Sequence, residues 1–164
     1  VARRKGSLKV QVEVPAQLDI RLPAFIPADY LPGELERLEF YKRILRAGPG
    51  EADALRRELE DLSGPMPVPV KNLFALLAVR GLAQKAQVRL VIQKERHIEV
   101  YFHAAAPLDQ GVLSSWMKAY EGRMRFIRSS EGDGLAVDLT EENPLQWLGD
   151  FLSKMIGSKI NNVS

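Results

Sequence analysis

Apolar residues alternate with polar ones near the start of the chain, change to helical spacing, and return to alternation twice before the end. Leu8, Val10, Val12 and Val14 share one face of a period-two pattern, and Leu18, Ile20 and Leu22 repeat it, so both runs predict half-buried strands. Pro23, Pro27 and Pro32 follow. Proline fixes φ, removes a backbone donor and pushes its predecessor toward extended geometry, so Leu22 to Pro32 is expected to be an ordered, non-helical strap. Phe25, Ile26, Tyr30 and Leu31 give that strap something to bury.

From Glu34 to Arg46 the spacing of Leu35, Leu38, Tyr41 and Leu45 predicts a helix with these residues inward, and Glu39 stands four before Arg43 as a supporting pair. Gly48-Pro49-Gly50 ends it. A second helix is expected over about Glu51 to Leu62, with Leu55, Leu59 and Leu62 inward and Gly64-Pro65 as its stop. A third, about Pro69 to Gln84, carries Val70, Leu73, Phe74, Leu76, Leu77, Val79 and Leu82 and has little polar face, which marks it as the central helix. Gly81 within it reads as a close-packing point.

After Lys85 the period returns to two. Val88, Leu90 and Ile92 answer Ile98, Val100 and Phe102 across Lys94-Glu95, a hairpin pattern. Leu108 to Tyr120 is helical again, with Leu113, Trp116, Met117 and Tyr120 as its buried side. Met124 to Ile127 and Leu135 to Leu139 form two short strands around Ser130 to Gly134, and Asn143-Pro144 supplies an N-cap and first helical residue for a last helix through about Ile156. Leu145, Leu148, Leu152 and Met155 should face inward there. The fold class that results is α+β: a single domain with a mostly antiparallel sheet of short strands packed against about five helices. Residues 1–16 are expected to be a linker with an edge strand, 17–157 the domain, and 158–164 a flexible tail.

Composition narrows the function classes. With 164 residues, the chain is one domain able to bury roughly two-thirds of its unfolded surface. Twenty-three basic and twenty-one acidic residues leave a net charge of +2, too small to point to nucleic acid. Cysteine is absent, which removes disulfides, thiolate metal sites and a cysteine nucleophile, and agrees with a reducing cytoplasm. No apolar run is long enough for a membrane span. The opening on Val1, beside Arg3, Arg4 and Lys5, predicts a fragment of a longer protein.

Catalytic patterns are missing. There is no phosphate-binding G-x-x-x-x-G-K-[ST] loop and no dinucleotide G-x-G-x-x-G after a strand. His97 and His103, six apart on one strand, would stand about 20 Å from each other, too far to share a metal. His97 adjoins a turn and is expected to be solvated. Ser114 and Ser115 lack a nucleophile elbow. Arg123, Arg125 and Arg128 around Phe126 resemble a nucleic-acid platform most closely, but alternation with Met124 and Phe126 also reads as polar-out, apolar-in. On the second helix, Glu51, Glu58 and Asp61 project within about 80° of one another beside the leucine seam. Such carboxylates can meet partner arginines through bidentate pairs, or can be a solvated stripe; spacing alone does not choose.

The pieces LPAFIPADYLP…LERLEFYKRIL, the run from Arg57 to Val70, and NLFALLAVRGLAQKA resemble the C-terminal domain of the bacterial transcription-repair coupling factor (Mfd) family, with a weaker continuation at LQWLGDFLSKM. The resemblance implies a non-catalytic regulatory module. In that family an upstream motor, using ATP and Mg, moves on DNA, displaces stalled RNA polymerase and recruits UvrA. The C-terminal domain packs on the UvrB-like N-terminal module and masks its UvrA-binding surface. The family's acidic contact residues precede a Gly-x-x-Pro turn; the matching positions are Glu58 and Asp61, with Glu51 on the same stripe. No cofactor, metal or membrane contact is implied for this piece, and a monomer is expected. The chain departs from the family after Asp61, where Leu62-Ser63-Gly64 replaces the usual Arg-Phe-Gly, and at the loop Gly48-Pro49-Gly50.

Overall fold

The computed structural model describes residues 16–103, 110–140 and 143–163. The strand expected over Leu8 to Val14 lies outside them. The described residues form β1 (Gln17–Asp19), α1 (Glu34–Arg46), α2 (Pro49–Ser63), α3 (Val68–Lys85), β2 (Val88–Gln93), β3 (His97–Phe102), α4 (Gln110–Ala119), β4 (Met124–Ser129), β5 (Gly132–Asp138) and α5 (Pro144–Val163). The sheet order is β1-β2-β3-β5-β4. All neighbours are antiparallel except β1, which runs parallel to β2. The α+β architecture expected from the spacing is therefore the one observed, with a mixed sheet.

Helix boundaries follow local chemistry. Gly48 and Pro49 do not merely end α1; Gly48 is the N-cap of α2 and Pro49 its first residue, where a missing N–H costs nothing. Gly64, at φ +89°, closes α2 in a conformation that glycine adopts without a Cβ clash, and its N–H donates to Glu60 O at 2.8 Å. The Asn143 side chain accepts from Leu145 N–H at 3.0 Å and caps α5. That helix continues to Val163, past the end expected near Ile156.

Two apolar cores form, and α3 joins them. The larger packs one face of the sheet (Val88, Val91, Ile98, Val100, Leu135, Val137) against Val79 and Ala83 of α3, Trp116 of α4, and Leu148, Phe151, Leu152 and Met155 of α5. Trp147 stacks on Phe151 at 5.2 Å, and Trp116 and Tyr120 meet Phe151 edge-on. The smaller core gathers Ile26 and Leu31 of the proline strap, Phe40 and Ile44 of α1, Leu55 and Leu59 of α2, Met66, and Val70 of α3. The central place expected for α3 is thus explained: its first half serves one core and its second half the other.

Four expectations change. Leu35, Leu38 and Leu45 of α1 are outward at 78%, 49% and 64% exposure, and the inward pair is Phe40 and Ile44. Leu62 is likewise exposed. A β-bulge between Val88 and Leu90 shifts the alternation of β2, so Val88 and Val91 enter the helix-covered core while Leu90 pairs with Tyr101 on the opposite face. Gly81 is not a close-packing point, because a Cβ built there meets nothing within 4 Å. The tight glycine is Gly134 in β5, where a Cβ would lie 2.6 Å from Val100 O and 2.7 Å from the Tyr101 ring.

Candidate protein-interaction surface

The strap, α1 and α2 hold one another through polar contacts that prolines leave open. Carbonyls of Leu31 and Pro32 accept from Arg37 of α1 at 2.7 and 2.9 Å, and Ile26 N–H donates to the Tyr41 hydroxyl at 2.7 Å. The Tyr30 hydroxyl donates to Gly64 O at 2.6 Å, tying the strap to the end of α2. Burial, aided by nearby Glu60, raises the Tyr30 pKa, so this donor keeps its proton. Asn72 of α3 donates to Pro23 O at 2.8 Å. Helix α2 is therefore fixed at its C-terminal end, and burial of Leu55 and Leu59 sets its rotation.

That rotation leaves Glu51, Glu58 and Asp61 exposed. Glu58 and Asp61 stand one turn apart on one side; Glu51 lies about 10 Å before Glu58 along the axis, in the first turn. The three share a face as expected, but they are not equivalent. Arg43 of α1 reaches across and donates to Glu58 Oε2 at 2.5 Å. This hydrogen bond holds the Glu58 carboxyl below its ordinary pKa and raises that of Arg43. Asp61 has no ion pair or side-chain hydrogen bond among the described residues. On the other flank of α2, Arg56 pairs with both Asp53 and Glu60 at 3.4 and 3.6 Å. The exposed α2 carboxylates without an ion pair among the described residues are thus Glu51 and Asp61, and Glu58 keeps one oxygen outside its bond to Arg43. A carboxylate accepts more than one guanidinium, so Glu58 can keep Arg43 and still receive a partner's arginine.

Sequence spacing assigned Arg43 to Glu39 within α1. The structure sends it to Glu58, while Glu39 meets Lys42 at 3.7 Å. Arg43 also sits 5.2 Å over the Phe40 ring. Because α1 and α2 are joined by a short loop and pack as neighbours, a cross-helix partner for an exposed arginine was the signal available and unused.

The alternative cluster is differently built. Arg125 donates to Asp138 at 2.7 Å, Arg128 to Asp133 at 2.6 and 3.2 Å, and Arg123 to the carbonyl of Asp138 at 3.1 Å. These arginines are spent within the sheet. Phe126, expected inward, is 57% exposed and lines an open groove of about 700 Å³ with Leu113 and Met117 of α4. It lies on the edge strand, where α4 covers it only in part. His97 is not the solvated residue expected; it contacts Glu99 at 3.0 Å, and Tyr101 donates to the other oxygen of Glu99 at 2.7 Å. Burial pushes the Glu99 pKa up, but the His97 and Tyr101 hydrogen bonds outweigh it and the net shift is downward. No cluster of metal-binding side chains occurs among the described residues, and none of their helices is long and apolar enough to cross a membrane.

Comparison with known proteins adds to this geometry. The model of the TRCF domain matches residues 20–112, which include the strap, α1, α2 and α3. The chain is 27% identical over 164 residues to the transcription-repair-coupling factor of Escherichia coli K12, covering 94% of this chain and 14% of that protein. It is 38% identical over 86 residues to the Haemophilus influenzae protein of the same name, covering 52% of this chain and 8% of the relative. The Staphylococcus aureus USA300 counterpart is 26% identical over 163 residues, again covering 14% of the relative. A crystal structure of the C-terminal domain of transcription-repair coupling factor superposes with a TM-score of 0.74 at 19% identity, covering 92% of this chain and 99% of the solved one. The strap and paired helices that carry the acidic face are the part matched by the TRCF model, and the chain belongs to the TRCF domain family of transcription-repair coupling factors.

Proposed function

We propose that this chain is the regulatory C-terminal module of a transcription-repair coupling factor and does no chemistry itself. Its acidic face on α2 docks on the UvrB-like N-terminal module of the same longer protein, covers the surface that binds UvrA, and restrains an upstream ATP- and Mg-dependent motor that acts on DNA and stalled RNA polymerase. The observation that carries this reading is the exposed pair Glu58 and Asp61, one turn apart on a helix fixed by Leu55 and Leu59, where the sequence resemblance puts the family's acidic contacts. Glu51 extends the same face toward the start of α2.

The change after Asp61 fits a modified version of the contact. Leu62, where the resemblance implies an arginine, is 54% exposed, so no guanidinium directly follows Asp61. Asp61 is then more available to a partner's guanidinium, and Leu62 offers apolar surface beside it. A coupling of this kind needs about 1–3 kcal/mol to bias open and closed states.

The test is Glu58→Arg with Asp61→Arg in the longer protein. Release of the clamp raises UvrA capture and basal ATPase together. UvrA capture and ATPase equal to those of the unmodified protein would reject the docking role of this face.

A further inference from the structure

Glu58 is already held by a cation of its own chain, and Asp61, one turn away, is not. Arg43 reaches Glu58 from the neighbouring helix through one bond, Nη2 to Oε2 at 2.5 Å. Neither the other guanidinium nitrogens nor Glu58 Oε1 makes a further hydrogen bond among the described residues. Both side chains are about half exposed, so a group approaching the face from solvent meets the pair.

Arg43 is kept in place by more than Glu58. Its guanidinium lies 5.2 Å from the centre of the buried Phe40 ring, and Glu39 of the same helix adds a second attraction. Helix α1 is itself fixed, to the strap through Arg37 and Tyr41 and to α3 through Arg80, which donates to Leu45 O at 3.3 Å. The cation is therefore resident beside Glu58 at a high effective concentration.

A partner's arginine arriving at Glu58 meets a like charge. Glu58 has room for a second guanidinium, but then the two cations repel across one carboxylate, or Arg43 turns away and its bond is lost. Either course weakens the contact at Glu58; Asp61 carries no such competitor. One bond to one oxygen of an exposed carboxylate orients it poorly, unlike a bidentate fork, so the charge of Arg43 outweighs any orienting effect. We infer that Arg43 is a built-in attenuator of the acidic face: it competes with a partner's arginine for Glu58 and keeps the docked state weak enough to open. This role rests on the docking proposed above and gives that site its regulation. On release Glu58 returns to Arg43, so the pair that opposes closure also stabilises the open state.

Calorimetric titration of the 164-residue chain into the UvrB-like N-terminal module of a transcription-repair coupling factor supplies the test. At low salt, Arg43→Gln should bind about two- to fivefold more tightly, the size expected of one exposed ion pair, with a steeper salt dependence and unchanged helix content. In a Glu58→Gln background the same substitution should give less than half that gain. In the Arg43→Gln chain the Glu58 carboxyl, followed by NMR, should titrate at higher pH, because the Arg43 hydrogen bond is the main cause of its lowering. Equal or weaker binding of Arg43→Gln overturns the inference, as does an undiminished gain in the Glu58→Gln background or an unmoved Glu58 titration. The Glu58→Arg and Asp61→Arg double variant separates this from the docking itself. If it binds like the unmodified chain, docking through this face fails and the attenuator with it; if it loses binding while Arg43→Gln gains none, the attenuator alone fails.

Discussion

Leu59→Ala separates the two cores. Leu59 is fully buried between the strap, α1 and α3, and it lies on α2 next to Glu58. The substitution removes Cγ and both Cδ atoms, about 2.4 kcal/mol at about 0.8 kcal/mol per buried carbon. The strap is pinned by its prolines and by the Tyr30 and Arg37 hydrogen bonds, so it collapses poorly into the void. The cavity contribution then brings the total toward the upper part of the range of about 2–5 kcal/mol. Because the smaller core has its own buried side chains, opening should be local. Urea unfolding with hydrogen-exchange mass spectrometry reads both quantities. Amides of α1 and α2 should lose protection while β2, β3 and β5 retain most of theirs. A loss below about 1 kcal/mol, an ordinary effect for any substitution, would refute the packing account. Equal loss of protection in the sheet would refute the separation of the cores.

Other outcomes follow from the same contacts. Gly134→Ala should destabilise by about 1–3 kcal/mol in thermal or urea unfolding, since its Cβ would press on the Val100 carbonyl and the Tyr101 ring. Gly81→Ala should instead stabilise by about 0.5–1 kcal/mol, because the site is open and only helix propensity changes. Acid should weaken the fold in a defined window. Arg43, Arg128 and Arg125 hold Glu58, Asp133 and Asp138 below their ordinary pKa values, so their contribution is complete above about pH 5 and is lost as pH falls through the lowered folded values. Unfolding midpoints followed from neutral pH downward should show this, and Asp138→Asn should flatten part of the slope.

Most of the fold was legible because its elements announce themselves through period and punctuation. The strap ends at Pro32 and α1 follows at Glu34, α5 begins after Asn143, and the two hairpins follow from alternation around Lys94-Glu95 and around Ser130 to Gly134, a turn that the structure tightens to Ser130-Glu131. The face of α1 was not legible. Phe40 and Ile44 form one helical seam and Leu35, Leu38 and Leu45 another, and periodicity cannot rank two seams on one helix. Tertiary packing against Ile26, Leu31 and Leu59 decided it. The β2 bulge was hidden for a related reason, since Val88 to Ile92 is apolar at every position but Arg89 and fits either register. The acidic residues were found by helix geometry, yet their difference was not. Arg43 engages Glu58 and leaves Asp61 open, and only the crossing of α1 and α2 reveals it.

The most direct test of the docking face is binding in trans. The 164-residue chain would be titrated calorimetrically into the UvrB-like N-terminal module of a transcription-repair coupling factor. Docking through Glu58 and Asp61 predicts binding that weakens with salt, is lost in the Glu58→Arg and Asp61→Arg double variant, and returns when the module's facing arginines are changed to glutamate. Equal affinity of the unmodified chain and the double variant would contradict it.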